Sequence, residues 1–369
     1  MSVVITISII AFLLTLLQSL GVLPKGLMLG FVLTTFLLII HFDYGNDYST
    51  YYEWFLELID SNYSFTELIE PNADIKDPGW FVLYWIFALI FGSGGFFVMV
   101  AIISIIEGIV YYKVICKYVP EKWYWLAMFI YLFQICLYPL TFSMMRQALV
   151  MALILLVYDN TRERKNIIQS IVLLIICFFV HKSSLFFIPF LFINYLPLNK
   201  YGKNIAITLV VFLLAFLFLN RITHSVLDYI MMIPFFVTYG SIYGDANVTI
   251  TFGFGYILRL VMFGVLLYYF ISKDTENEYR DFVLLAALSI IILPFETIIP
   301  LIARINYYFQ VFYIIAIPAA YRNIKNRILR EGLLGLYILL EVYCYYLFFS
   351  PTSVFYEGYR NFHSIFSVI

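Results

Sequence analysis

Three positively charged sites interrupt the long apolar runs of this chain, and each is of a type that binds phosphate. Arg146 follows the turn Tyr138-Pro-Leu-Thr-Phe-Ser143 and opens the stretch Arg-Gln-Ala-Leu-Val-Met-Ala, with Gln147 beside it. His181 stands with Lys182, Ser183 and Ser184 between two further runs, and Arg304 follows Pro300 and precedes Tyr307. A helix N-terminus offers free N–H groups and the positive end of its dipole, so a guanidinium there makes a clamp for phosphate. An imidazole in such a place can donate to a phosphate or take a proton from a hydroxyl. The fourth feature is anionic. From Asp43 to Asp77 the chain carries nine acidic residues against one Lys, and Asp43, Asp47 and Tyr51 recur every four residues, on one face if the segment is helical. Spaced carboxylates can hold a divalent metal, act as a base or bind sugar hydroxyls, and the Tyr and Trp rings among them suit sugar faces. Singly, these features read as a snorkelling interfacial Arg, a structural His and a solvated acidic loop. Three cations on one side form a constellation.

The elements that position these residues follow from composition. Of 369 residues, 63% are hydrophobic and only 12% charged. Apolar stretches recur near the roughly 20 residues that a helix needs to cross a bilayer. The chain is therefore predicted to be an all-α polytopic membrane protein, a single transmembrane domain over 1–369, and a soluble fold is excluded. Twelve spans are expected at about 3–22, 26–42, 95–112, 123–140, 143–159, 166–180, 183–198, 204–220, 252–271, 281–300, 303–320 and 333–350. The first run lacks a basic n-region and a small-residue cleavage site, so it reads as a retained span. Many of the 32 Tyr fall near run ends, where an amphipathic ring suits the interface. Cys116, Cys136, Cys177 and Cys344 show no CxxC or His spacing and read as structural thiols.

Charge sets the orientation. On this threading fifteen Lys and Arg fall on one side and six on the other, with Arg259 inside a span. The positive-inside bias makes the richer side cytoplasmic, which places Arg146, His181, Arg304 and the acidic segment outside. The apolar stretch 80–91 is only 12 residues, about 18 Å of helix, and is followed by Gly92-Ser-Gly-Gly95. It is expected to be a half-helix dipping in from the outer face, turning at a glycine hinge within 80–95 and bordering the site. Two long polar segments, 43–79 and 221–251, are both external loops. No cytoplasmic loop exceeds about 12 residues and no phosphate-binding glycine motif is present, so no nucleotide-binding domain fits. The basic residues form no stripe free of the membrane, which argues against nucleic acid. Arg259, two turns inside its span, must face a polar interior or a partner, and pairing within the bundle is expected for Glu107, Glu296 and Glu341.

In order, Gly45-x-Asp47-Tyr48-x-x-Tyr51-x-x-x-Phe55, Asp77-Pro-Gly79-Trp80, Met145-Arg146-Gln147-Ala148-x-x-x-Ala152, Phe179-Val-His181-Lys-Ser-Ser-Leu185-x-x-x-Pro189 and Arg304-x-x-Tyr307-Tyr308-Phe309 resemble the EpsG family. These are Wzy-like polymerases of bacterial surface polysaccharides. One departure is Asp77, where the family more often shows Glu, and the C-terminal part matches poorly, leaving Glu357, Arg360 and His363 unassigned.

The resemblance implies a GT-C-like helical bundle in the bacterial cytoplasmic membrane with its site facing the periplasm or exterior. It implies transfer of a growing O-antigen, capsule or exopolysaccharide glycan from undecaprenyl pyrophosphate to the next lipid-linked repeat unit. A lipid-linked oligosaccharide flippase and an O-antigen ligase-type transferase are the alternatives. Arg146, Arg304 and Lys182 are expected at the pyrophosphate, and His181 and Asp47 are the candidate catalytic groups. Asp43, Tyr51, Asp77, Gln147, Ser183, Tyr307 and Arg259 are expected to contact substrate. No cofactor is required and no metal is expected, although the carboxylates leave a divalent cation open. The bilayer and a chain-length regulator are the further partners.

Overall fold

Apolar runs of this length can satisfy their backbone hydrogen bonds internally only as helices, and helices dominate the computed structural model of the chain. It describes residues 1–61, 67–68, 77–163, 166–198, 200–219, 254–272, 277–297 and 300–367. The expected loop 221–251 and most of the acidic segment between 62 and 76 lie outside the described residues. Ser2–Ser19, the stretch Pro78–Tyr118 and Arg327–Phe348 are long and apolar enough to cross a membrane. Shorter apolar helices include Gly26–Ile40, Ile167–Val180, Gly202–Ala215 and Gly255–Ile271, as a multi-pass membrane protein requires.

Several expected spans are broken, and proline accounts for most of the breaks. The run 123–140 forms a helix only over Tyr124–Phe133, then restarts as the short helix Tyr138–Thr141 with Pro139 in its first turn. The run 183–198 is a 3-10 stretch, Lys182–Tyr195, around Pro189. The run 281–300 gives Arg280–Ile292 and then the 3-10 turn Leu293–Thr297 containing Pro294. The next begins at Pro300, ends at Gln310 and restarts at Tyr313. Proline has no N–H to donate, and its ring clashes with the preceding turn, so hydropathy alone overestimates helix continuity here.

The stretch 78–118 also folds back. Helix Pro78–Phe91 ends at Gly92, whose φ of 61° is left-handed, and helix Gly95–Tyr118 begins after a 3-10 turn. In one continuous helix residues 87 and 95 would stand about 12 Å apart. Instead Gly95 lies on the backbone of Phe87, and the rings of Tyr84 and Phe96 are 6.3 Å apart.

Two compact units divide the chain, Met1–Leu191 with Glu341–Ile369, and Phe192–Leu340. In the first, Ser2–Ser19, Gly26–Ile40, Gly95–Tyr118, Tyr124–Phe133 and Met145–Arg162 pack together around Ala11, Leu38, Met128, Val150 and Ala152, all buried. The C-terminal segment closes this unit. His41–Phe42 pairs antiparallel with His363–Ser364, the Met1 amino group donates to the Arg360 carbonyl at 3.0 Å, and the Tyr359 hydroxyl donates to the Pro139 carbonyl at 2.9 Å. In the second unit Arg280–Ile292 is the central helix, against which Phe254–Ile271, Pro300–Gln310 and Tyr313–Arg322 pack.

Candidate functional site

A carboxylate organises the polar cluster of the first unit. Asp77 immediately precedes helix Pro78–Phe91 without capping it through its side chain, and Pro78 at the first position needs no N–H partner. Gly79 follows, and a Cβ there would stand 2.7 Å from the Phe179 carbonyl carbon and Cβ. Only glycine lets the start of this helix press onto the end of Ile167–Val180. That approach brings Asp77 to His181, the residue that terminates the second helix in an extended conformation. His181 Nδ1 lies 3.3 Å from Asp77 Oδ2, and the Lys182 backbone N–H donates to Oδ1 at 3.2 Å.

Arg146 completes the cluster from a third helix, Met145–Arg162, of which it is the second residue. Its Nη1 donates to Asp77 Oδ2 at 2.7 Å and its Nε to the Tyr51 hydroxyl at 3.2 Å. The guanidinium lies 5.3 Å from the Tyr51 ring centroid and 5.5 Å from that of Trp54, within cation–π range. Two of its five N–H donors are thus engaged, and its side chain keeps 16% of its exposure. The turn preceding Arg146 is fixed in the same manner as Asp77. Gly45 has a φ of 105°, and a Cβ there would meet the Phe142 carbonyl oxygen at 2.6 Å. The Asp47 N–H then donates to Ser143 Oγ at 3.2 Å. The Gly45-x-Asp47 spacing therefore clamps the turn from which Arg146 projects.

Electrostatics follow from these distances. Burial works to raise the Asp77 carboxyl. The hydrogen bond and charge of His181, the charge of Arg146 and the Lys182 N–H outweigh it and hold Asp77 below the ordinary value of 3.8. An ionised carboxylate only accepts hydrogen bonds, so His181 Nδ1 carries a proton and Nε2 is the ring nitrogen turned away from Asp77. The arrangement joins an anion-binding guanidinium to an imidazole whose tautomer is set by a carboxylate.

The remaining expected residues distribute unevenly. Gln147 and Ser183 are buried beside Arg146 and His181 in sequence, and the Lys182 side chain is exposed. Asp43 and Asp47 do not share a helix face with Tyr51, because helix Tyr48–Ser61 begins after them. Asp43 is exposed with a φ of 45°, and Asp47 precedes the helix, its carbonyl accepting from the Tyr51 N–H at 3.1 Å. Arg304, Tyr307 and Arg259 belong to the second unit. Arg304 is not at a helix start: helix Pro300–Gln310 places it more than one turn in, beyond the reach of the N-terminal dipole. His181 ends helix Ile167–Val180 and directly precedes the 3-10 stretch Lys182–Tyr195, its carbonyl accepting from the Ser184 N–H at 3.0 Å. Of the 78–118 hairpin, the start at Asp77 borders the cluster, whereas Cβ atoms at Gly92 and Gly94 in the turn would have nothing within 4 Å.

The sequence marks Trp54 only as a ring suited to sugar faces and Ser143 only as the end of a turn, not as partners of Arg146 and Asp47. Trp54 stands three residues after Tyr51 on helix Tyr48–Ser61, a spacing that could have paired the two rings. Glu296 in the second unit accepts from Asn306 and Gln310 and lies within electrostatic range of Arg259. Among the described residues no group of three or more His, Cys, Asp or Glu is placed to hold a metal ion.

No curated protein and no solved structure matches the chain. The model of one protein family matches residues 26–361, from the second helix through the cluster to the C-terminal helix Tyr356–Arg360, including the tail where the motif resemblance was weak. The match covers most of the chain, and the protein belongs to the EpsG family.

Proposed function

We propose that the protein is a polysaccharide polymerase of the cytoplasmic membrane. It transfers a growing glycan from undecaprenyl pyrophosphate to a hydroxyl of the next lipid-linked repeat unit, on the outer face. The observation that carries this reading is the meeting of Arg146, Asp77 and His181 from three separate elements within an EpsG-family chain. Pyrophosphate is a good leaving group, so the protein's tasks are to stabilise its charge and to position the acceptor. Arg146, with donors to spare, binds the pyrophosphate. His181, its Nδ1 proton held by Asp77, accepts the proton of the attacking hydroxyl at Nε2 as the bond from the anomeric carbon to pyrophosphate breaks. Of its two open roles, base for the acceptor is favoured over phosphate donor by this tautomer. Asp77 acts through His181 and Arg146 and is a positioning residue. Asp47 anchors the turn before Arg146 through its backbone.

Lys182 and Arg304 are further cations for the lipid-linked substrate, no cofactor enters the reaction, and a chain-length regulator is a further partner. The test supplies purified protein with lipid-linked repeat units and no nucleotide sugar. Elongation to a ladder of longer lipid-linked chains is expected. Translocation across vesicles without a new glycosidic bond would instead mean a flippase, and transfer only onto a different acceptor would mean a ligase.

A further inference from the structure

We infer that the second unit carries a subsite for the hydroxyl groups of a sugar, built on Glu296 and Asn306 and bordered by Arg259. This rests on the polymerase reading for its substrate class. The place is a break in an apolar run, the 3-10 turn Leu293–Thr297 between helices Arg280–Ile292 and Pro300–Gln310. Irregular backbone inside such a run is tolerated where protein buries it or where it lines a polar cavity.

The side chains gathered there are polar and mutually oriented. Glu296 Oε1 accepts from Asn306 Nδ2 at 2.6 Å and from Gln310 Nε2 at 3.3 Å. Asn306 and Gln310 are four residues apart on one helix, hence neighbours on one face. The same Asn306 Nδ2 donates to the Ser289 carbonyl at 3.1 Å, and Ser289 Oγ accepts from the Tyr313 hydroxyl at 3.0 Å. Arg259, contributed by helix Phe254–Ile271, acts electrostatically on Glu296. One atom does not fit a purely structural network. Asn306 is fully buried, and its Oδ1 has no hydrogen-bond partner among the described residues. Buried acceptors are nearly always satisfied, so this one calls for a donor that the described residues do not supply.

The chemistry selects the ligand. A hydroxyl is both donor and acceptor, so one sugar hydroxyl can donate to Asn306 Oδ1 or Glu296 while another accepts from Arg259. Amide side chains dominate at this place, whereas the cluster of the first unit gathers a guanidinium, an imidazole and a backbone N–H around Asp77. Glu296 and Arg259 are half-buried, so the edge of the subsite is exposed while Asn306 lies beneath it.

The test uses the full-length protein in detergent and, as probe, the free oligosaccharide released by mild acid from the host's own lipid-linked intermediates. This probe carries neither lipid nor pyrophosphate. Calorimetry is expected to show binding to the wild type and at least about tenfold weaker binding to Glu296→Gln and Asn306→Ala, without a lowered melting temperature. In elongation assays the same variants should raise KM and leave kcat within a few-fold. If either variant fails to fold, Gln310→Leu carries the same measurement. Wild-type affinity in the variants, absence of binding in the wild type, or weakening that only follows lost stability would overturn the subsite. Oligosaccharide binding lost in the variants, with no elongation by the wild type, would keep the subsite and remove the polymerase reading instead.

Discussion

A carboxylate stands at the centre of one polar cluster in each unit, and the two carboxylates meet different sets of partners. In the first unit Asp77 receives a guanidinium, an imidazole and a backbone N–H. In the second, Glu296 receives the amides of Asn306 and Gln310, with Arg259 acting on it through its charge. The first set concentrates positive charge around a single anion and leaves Arg146 with donors unused, a composition suited to pyrophosphate. The second is dominated by neutral amides, a composition suited to hydroxyls. The difference shows that a buried carboxylate does not by itself indicate a role: the groups turned toward it decide whether it tunes cations or presents acceptors.

The comparison is sharpened first by Asp77→Asn. If Asp77 fixes the tautomer of His181 and the pose of Arg146, the amide should reduce elongation by about 10²-fold or more, because the wrong tautomer removes the base. The linked stability has a defined sign. Asp77 is held below its ordinary value of 3.8, so its stabilisation is fully present above that value and is lost only as pH falls through the lower folded value. The stability difference between wild type and Asp77→Asn should therefore stay flat from neutral pH down to about 5 and shrink only in stronger acid. A difference that disappears nearer neutrality would show that Asp77 is not the charged centre of the cluster.

A smaller effect is expected at Gly79. A Cβ at 2.7 Å from the Phe179 backbone forces the start of helix Pro78–Phe91 away from the end of Ile167–Val180. Gly79→Ala should cost about 1–3 kcal/mol in thermal or denaturant unfolding, with reduced elongation as Asp77 moves from His181. Unchanged stability and activity would mean that the close approach does not set the cluster. It would also remove the contrast with the second unit, whose amides are aligned by one helix, Pro300–Gln310.

Much of this was legible in the sequence, and what was missed has physical causes. Apolar runs of near-spanning length gave the helical membrane class, because a bilayer permits few alternatives. Arg146, His181, Lys182, Asp77 and Tyr51 were each visible as polar residues where apolar runs begin or end. Their convergence was not. Asp77 and His181 are separated by 104 residues, and Asp77 and Arg146 by 69, so no local period reports that one carboxylate holds both the imidazole and the guanidinium. Asp77 was accordingly expected as a substrate contact, and the structure adds its bonds to Arg146, His181 and the Lys182 N–H. The four-residue spacing of Asp43, Asp47 and Tyr51 misled because Gly45 breaks the helix pattern with a left-handed turn. Continuous spans were expected where Pro139, Pro189 and Pro294 interrupt them, since hydropathy registers transfer energy and not the missing N–H. The C-terminal segment carried no readable motif, yet the Gly358 carbonyl accepts from the Gly45 N–H at 2.7 Å and its tail pairs with His41–Phe42.

The most direct test of the cluster as a catalytic unit is elongation of lipid-linked repeat units by purified Arg146→Ala beside the wild type, with both proteins shown to insert in the membrane at equal level. If the Arg146 guanidinium binds the pyrophosphate, its loss predicts a fall of about 10²-fold or more, with product held at the shortest chains. A normal chain-length ladder from Arg146→Ala would contradict the account.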